Sequence, residues 1–306
     1  MQGAICVRYL VLREVIDMSN AIRLQGHEKF SLRDGWIGKA LKNIDTSSEI
    51  EYSEVFLKKD APDIFGIGNN MVKSLRYWMK ALGLSEEKSA TGVKLTPIGI
   101  TIKKFDPYFE DMFSVWITHT MISTNFEEAT TWYLFFNNFD VIDFRKDIVF
   151  DSLQREILGY VDKFSEKSLQ NDIDVLLNMY SKDKEIVDPE DKTLSPFAQL
   201  GLVRYKDGEY TKECPDKRKV NEWIILFYLT RKYNNGDSVS INDLIEGKES
   251  ISSIFQLTPT HTNELLDKLD SRGYVRVNRT AGLDVVYMDT DLKPEEVMRE
   301  YYENHK

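Results

Sequence analysis

The stretch FGIGNNMVKSLRYWMKALGL, from Phe65 to Leu84, decides how the chain is interpreted. Two glycines one residue apart, Gly66 and Gly68, precede a run with helical spacing. A dinucleotide-binding loop needs a preceding strand and a third glycine, and a Walker loop needs Gly-Lys-Ser or Gly-Lys-Thr. Neither pattern is present, so the stretch predicts a turn followed by a helix rather than a loop that holds a nucleotide phosphate.

The helix in this stretch has two distinct sides when its residues are placed at 100° steps. Its apolar side consists of Met71, Val72, Leu75, Trp78, Met79 and Leu82. No Asp or Glu occurs between Phe65 and Ser85, although the chain has 50 acidic and 40 basic residues. Because a helix amino end also attracts phosphate, we predict a DNA recognition helix, with a solvated basic face as the alternative. The predicted DNA contacts are Asn69, Asn70, Lys73, Arg76, Tyr77 and Lys80, the last four on the exposed side.

The order of elements in this region recurs along the chain. A helix, a short exit containing glycine and a β-hairpin follow one another at residues 70–96, 194–211 and 258–288. That order is typical of a winged helix, in which the hairpin is the wing. We therefore predict a mainly α-helical α+β fold with small β-hairpins, in which winged-helix modules at both ends flank an aromatic-rich helical core.

This pattern divides the chain into four parts. Residues 1–20 are interpreted as an appendage outside the native domain, because Met18 offers a second start. Residues 21–104 are predicted to be a winged-helix DNA-binding module, and residues 105–215 a helical core with a third winged-helix-like unit. Residues 216–306 are predicted to be a C-terminal winged-helix module.

Local signals set the helices and turns expected in the first module. Residues 33–41 predict a short helix, and SSEIEYSEVF at 47–56 predicts another, capped by one of the serines at its start. Pro97 and Gly99 are expected to close the hairpin that follows the recognition helix.

The central region combines an aromatic run with a second amphipathic helix. Asp106 is expected to cap a helix that includes Phe109, and the dense aromatic residues after it favour a buried core over a base-stacking surface. EKSLQNDIDVLLNMY at 166–180 has an apolar helical stripe, and Asp207-Gly208 is a hairpin turn signal.

The C-terminal module has a different charge pattern from the first. The exposed face of its second helix is not basic, and it carries Thr260, Asn263, Glu264, Asp267 and Ser271. Only its wing is basic, through Arg276 and Arg279. We expect this module either to contact DNA through the wing alone or to bind protein.

Catalytic groups are sparse. His27, Glu28 and Arg33 form the most chemically mixed cluster, able to supply a base, a ligand and a phosphate clamp, so they are the predicted catalytic residues. Asp172 and Asp174 lie about 160° apart on their helix and cannot share a metal ion, although Asp172 borders the apolar stripe and is expected to be hydrogen-bonded inside. No metal ligand is assigned, Asp106 and Glu110 are interpreted as helix-start acids, and His119 is predicted to be a core histidine.

Composition limits the function classes further. With 306 residues and a net charge of -10, the chain is expected to hold two to three packing units and to contact DNA only through local patches. Cys6 and Cys214 form no CxxC pair, and no apolar run approaches the roughly 18 residues of a membrane helix. We expect a cytoplasmic protein with no membrane partner and no visible cofactor, and a divalent metal, Mg or Mn, only if the protein nicks DNA.

Seven segments together resemble the bacterial family known as "domain of unknown function 4007". They are GHEKFSLRDGW, FGIGNNMVKSLRYWMKALGL, LTPIG, DPYFED, TTWYLFFN, DIDVLLNMY and SPFAQLGL, and the resemblance spans about Leu24 to the carboxyl terminus. It implies a gene setting beside reductase-like and cysteine desulfurase genes in DNA phosphorothioation and phage-defence islands. The family is similar to the component of Ssp-type systems thought to nick DNA so that sulfur can enter the backbone.

Three functions follow as hypotheses. The first is a subunit of a phosphorothioation system that binds double-stranded DNA and nicks it. The second is a non-enzymatic winged-helix regulator that binds an operator as a dimer. The third is an adaptor that uses its C-terminal module to hold proteins of the same gene cluster.

Overall fold

The computed structural model describes residues 22–47, 51–88, 92–181, 194–280 and 282–305. The predicted appendage at 1–20, the serine cap at Ser48 and the acidic segment at 183–192 lie outside them. The described residues form short helices and small antiparallel sheets, which confirms the mainly helical α+β class. No helix among them is long and apolar enough to cross a membrane.

The first unit is a set of three helices followed by a hairpin. It consists of α1 (Trp36–Asn43), α2 (Ala61–Phe65), α3 (Asn69–Ala81), β1 (Ser85–Lys88) and β2 (Gly92–Leu95). The helix predicted at 47–56 is wrong for the described residues, because Ser53 exchanges two backbone hydrogen bonds with Val93 of β2, at 2.7 and 2.9 Å. Ser53 and Val55 are buried and Glu54 between them is exposed, an alternation typical of extended chain.

A helix that the sequence analysis missed follows this hairpin. In α4 (Pro97–Phe105) the Thr96 hydroxyl accepts a hydrogen bond from the Gly99 N–H, so Pro97 begins a helix instead of closing the hairpin. Asp106 ends α4, and Asp111 caps the next helix, α5 (Met112–Ser123). Two cap-proline signals, Thr96-Pro97 and Asp106-Pro107, lie ten residues apart, and only the first begins a helix. The expectation that Asp106 starts a helix containing Phe109 is wrong.

The central region packs four helices against a three-stranded sheet. After α5 come α6 (Thr130–Asn137), β3 (Asp143–Phe144), α7 (Lys146–Ile157), α8 (Glu166–Tyr180), β4 (Val203–Lys206) and β5 (Glu209–Lys212), with strand order β3-β5-β4. The prediction of α8 and of the hairpin at Asp207-Gly208 is confirmed. The aromatic run is buried, as predicted, with Trp116, Trp132, Phe135 and Phe136 all 2% exposed or less.

The last unit repeats the strand order of the central sheet. It consists of α9 (Glu222–Lys232), β6 (Ser238–Ser240), α10 (Ile241–Glu246), α11 (Ile251–Phe255), α12 (Pro259–Ser271), β7 (Val275–Thr280), β8 (Leu283–Met288) and α13 (Pro294–Asn304). Its sheet order is β6-β8-β7. β6, which precedes α10, α11 and α12, therefore pairs with β8, the second strand of the hairpin. Ser53 pairs with β2 in the same way. The last helix packs back on the first half of the chain, where Tyr302 stacks on Phe105 with ring centroids 5.3 Å apart.

Candidate nucleic-acid interface

The glycine-containing turn joins two helices. Gly66 ends α2 in the left-handed region at φ 62°, and Gly68 precedes the first residue of α3 at φ −65°. Only Gly66 needs the conformational freedom of glycine. Because a helix and not a strand precedes the turn, the interpretation as turn and helix is confirmed.

One face of α3 is more deeply covered than its periodicity predicts. Val72, Leu75 and Trp78 are buried, as expected, but Tyr77 is also only 5% exposed. Its hydroxyl donates to the Glu128 carbonyl at 2.9 Å. The segment before α1 covers the ring so closely that a Cβ on Gly26 would overlap it. The expectation that Tyr77 lies on the exposed side is therefore wrong, and a buried ring does not reach DNA.

Two of the predicted basic contacts are paired with carboxylates from other elements. The Arg76 guanidinium lies 2.8 Å from a Glu87 carboxylate oxygen in β1. The Lys80 ammonium pairs with Glu128, which Arg23 also contacts at 2.8 Å. The acid-free sequence of α3 therefore does not give an acid-free surface at its carboxyl half.

The amino end of α3 keeps its positive character. Asn69, Asn70 and Lys73 are exposed, and the first turn holds no acidic residue. The first amide groups of any α-helix have no intrahelical acceptor, and the N-cap residue of α3, Gly68, has no side chain to supply one. The Lys39 ammonium of α1 lies 3.8 Å from the position that a Cβ on Gly66 would take. Lys39 is not among the predicted contacts, because only the tertiary contact of α1 with the turn brings it there.

The two predicted basic contacts on β7, Arg276 and Arg279, are both paired with carboxylates of the last unit. Arg276 lies 3.4 Å from Asp289, and Arg279 lies 2.5 Å from Asp267. On α12, Glu264 pairs with Lys217 at 3.1 Å. These pairs leave the α12 face nearly neutral.

His27 lies in the core instead of at the surface. It is 0% exposed and stacks on Trp78. Its Nδ1 accepts the Lys29 N–H at 3.1 Å, so Nε2 carries the proton and donates to Asp172 Oδ1 at 2.8 Å. Asp172 also accepts the Gln25 N–H and the Thr131 hydroxyl, each at 2.8 Å. We therefore assign His27 a structural role in place of the predicted catalytic one.

The expected separation of the two aspartates of α8 is confirmed. Asp172 is 1% exposed, whereas Asp174 is exposed and pairs with Lys146 of α7. His119 is a core histidine, as predicted, with hydrogen bonds at 2.8 Å to the Tyr180 hydroxyl and the Ile254 carbonyl. Burial lowers the pKa of His119 to about 4, so its ring is neutral at pH 7.

The other two predicted catalytic residues lie nearer the surface than His27. Glu28 is exposed with φ 48°, and Gln25 and Lys29 beside it also have positive φ, at 60° and 67°. The half-buried Arg33 lies over the Trp36 ring, 5.9 Å from its centroid. In the described residues no three His, Cys, Asp or Glu side chains meet as a metal-holding group.

Comparison with known proteins supports the same family as the sequence motifs. Two solved structures share the fold: the magnesium ion-bound SspB crystal structure, with a TM-score of 0.81, and the SspB crystal structure, with a TM-score of 0.80. Each is 23% identical, with 94% of this chain and 90% of that chain covered. Curated proteins give no significant match. Because the family model described as "Protein of unknown function (DUF4007)" matches residues 24–302, the chain belongs to that family.

Proposed function

We propose that this chain is the DNA-binding subunit of a bacterial DNA phosphorothioation or phage-defence system. The exposed, uncapped amino end of α3, with Lys39 and Lys73 beside it, carries the proposal. Membership of the family and the fold shared with SspB support the setting. The helix, strand and hairpin order of the first and last units supports the view that both are winged helices.

The residues at this end take different roles in the proposed complex. Lys39 and Lys73 contact phosphates together with the first amides of α3. Asn69 and Asn70 reach base edges, where an amide side chain suits adenine. Arg76 and Lys80 contact DNA only by leaving their carboxylate partners. Arg276 and Arg279 of the wing would also have to leave their carboxylate partners to contact DNA. We therefore favour a protein of the same gene cluster, and not DNA, as the partner of the last unit.

The double variant Lys39→Ala/Lys73→Ala tests the interface. We expect its affinity for a fluorescent duplex to fall about 10-fold, with the slope of log affinity against log salt reduced by roughly 2, because two phosphate contacts are lost. Lys163→Ala/Lys206→Ala is the matched control, because it removes two exposed lysines elsewhere. If the two double variants lose the same affinity for the duplex, only the net charge of the protein matters. That result would contradict the assignment of α3 to the DNA interface.

DNA nicking is a second proposed activity of the same subunit. It is favoured by the three non-glycine residues with positive φ around His27, because strained backbone gathers at functional sites. Glu28 would take a proton from a water molecule whose oxygen attacks the phosphorus atom, with Arg33 near the phosphate. One P–O bond to a deoxyribose oxygen would break, and that oxygen would leave with a proton from solvent. Asp172 does not fit a metal ion here, because hydrogen bonds from Gln25, His27 and Thr131 already occupy its oxygens.

A further inference from the structure

Three cations gather at the carboxyl end of α9 and in the loop before α11. Arg231, Lys232 and Lys248 are all exposed, and each charged group lies near an aromatic ring of the core. The rings are those of Phe227, Tyr228 and Tyr133, with centroids at 6.0, 5.7 and 5.8 Å respectively. The face of each ring attracts the positive charge above it, and the outer side of each cation stays open to solvent.

This cation group has few acidic partners. Among the described residues, Glu249 is the one carboxylate within 4.0 Å of any of the three charged groups, and it lies 3.9 Å from Lys232. Its other oxygen accepts the Tyr133 hydroxyl at 2.8 Å. Arg231 donates instead to a neutral group, the Thr124 hydroxyl, at 3.0 Å. Three cations thus face one shared carboxylate, while Glu127 and Glu246 in the adjoining segments lie farther away.

The environment of these cations is partly dry. Burial lowers the pKa of Arg231 and of Lys232, and the negative charge of Glu249 opposes both shifts. Opposite charges attract more strongly where water is partly excluded. An incoming anion therefore gains more here than at a fully solvated lysine.

A short loop connects the cation group to α3. Thr124, which Arg231 contacts, and Glu128, which Lys80 of α3 contacts, belong to the same connection between α5 and α6. Four residues span at most about 14 Å, and α3 itself rises about 16 Å between Asn69 and Lys80. With the contact distances and the side chains of Thr124, Glu128 and Lys80 included, the amino end of α3 lies at most about 50 Å from Arg231. One turn of duplex DNA covers about 34 Å.

We propose that Arg231, Lys232 and Lys248 form a second phosphate-binding surface for the duplex held by α3, at a separation that a duplex of about 24 bp spans. The inference rests on the proposed DNA-binding function. It differs from the predicted wing contacts, because it uses the end of α9 rather than the α12 side of the unit. The ligand is a run of backbone phosphates, which needs no base sequence.

Binding to duplexes of different length distinguishes this surface from the α3 site. A hairpin stem of about 8 bp reaches only one of them, whereas a duplex of about 24 bp reaches both. We expect Arg231→Ala/Lys248→Ala to bind the short stem as the wild type does. On the long duplex it should bind about 10-fold more weakly, with a salt slope lower by roughly 2. Arg231→Lys/Lys248→Arg should restore binding, because it keeps both charges.

Fluorescence anisotropy against both DNA lengths gives the outcomes. One outcome is that Arg231→Ala/Lys248→Ala binds the long duplex as tightly as the wild type, whereas Lys39→Ala/Lys73→Ala binds it more weakly. That outcome would overturn the second surface and leave the proposed function standing. A loss equal to that of Lys163→Ala/Lys206→Ala would also overturn it. Wild-type protein that binds neither DNA would overturn both proposals. Unchanged thermal midpoints of the variants show that folding is not the cause.

Discussion

We expect Asp172→Ala to lower the free energy of unfolding by about 4 kcal/mol. Asp172 accepts hydrogen bonds from Gln25, His27 and Thr131, all at 2.8 Å, in a site that is 1% exposed. Alanine leaves those three donors buried without an acceptor, and each unsatisfied group costs about 1–3 kcal/mol. Because these bonds join the segment before α1 to α6 and α8, the loss also frees that segment. Denaturant unfolding monitored by tryptophan fluorescence measures the change.

Asp174→Ala is the matched control, since it removes the same side chain two residues away on the same helix. Asp174 is exposed and pairs with Lys146, so its loss should cost about 1 kcal/mol or less. Equal losses of stability in the two variants would contradict the structural role given to Asp172 and His27.

Glu28→Gln should lower the rate constant of DNA nicking by at least about 100-fold. Glutamine keeps the shape of the side chain and tolerates the same positive φ about as well, but it cannot take a proton from water. The measurement is conversion of supercoiled plasmid to open circle with Mg or Mn present, in wild type and variant. The fold should be unchanged, because the Glu28 side chain is exposed.

Glu54→Gln is the matched control, because it also removes one exposed carboxylate, and it should nick DNA at the wild-type rate. Nicking that continues at the wild-type rate in Glu28→Gln would remove Glu28 as the base. A wild-type protein that nicks no plasmid with either metal would leave the DNA-binding subunit without this activity and would favour the regulator or the adaptor.

Local patterns in the sequence were sufficient where neighbouring residues decide the structure. The turn at Gly66, the apolar face of α3 and the opposite directions of Asp172 and Asp174 all follow from helical geometry over one or two turns. The local pattern does not predict the helix at 97–105, because the helix start signal Thr96-Pro97 also fits the end of a hairpin.

Long-range contacts decided what the sequence could not show. His27 lies in the core, where Asp172, 145 residues later, accepts the hydrogen bond of its Nε2–H group. The segment around Gly26 covers Tyr77. Arg76 forms an ion pair with Glu87 in β1, the strand that follows α3. Lys39 joins the α3 end only through packing of α1. A count of the charged residues of α3 alone therefore gives too high a positive charge for its carboxyl half, where Arg76 and Lys80 are paired. The same count gives too low a positive charge for its amino end, where Lys39 is added.

Hydrogen–deuterium exchange of the amides of residues 69–71 tests the central claim, that duplex DNA binds at the amino end of α3. These amides have no intrahelical acceptor, so they should exchange quickly in the free protein. A bound phosphate accepts their hydrogen bonds, and we predict that saturating duplex of about 24 bp slows their exchange markedly. Unchanged exchange at residues 69–71, with anisotropy showing that the duplex is bound, would contradict the account.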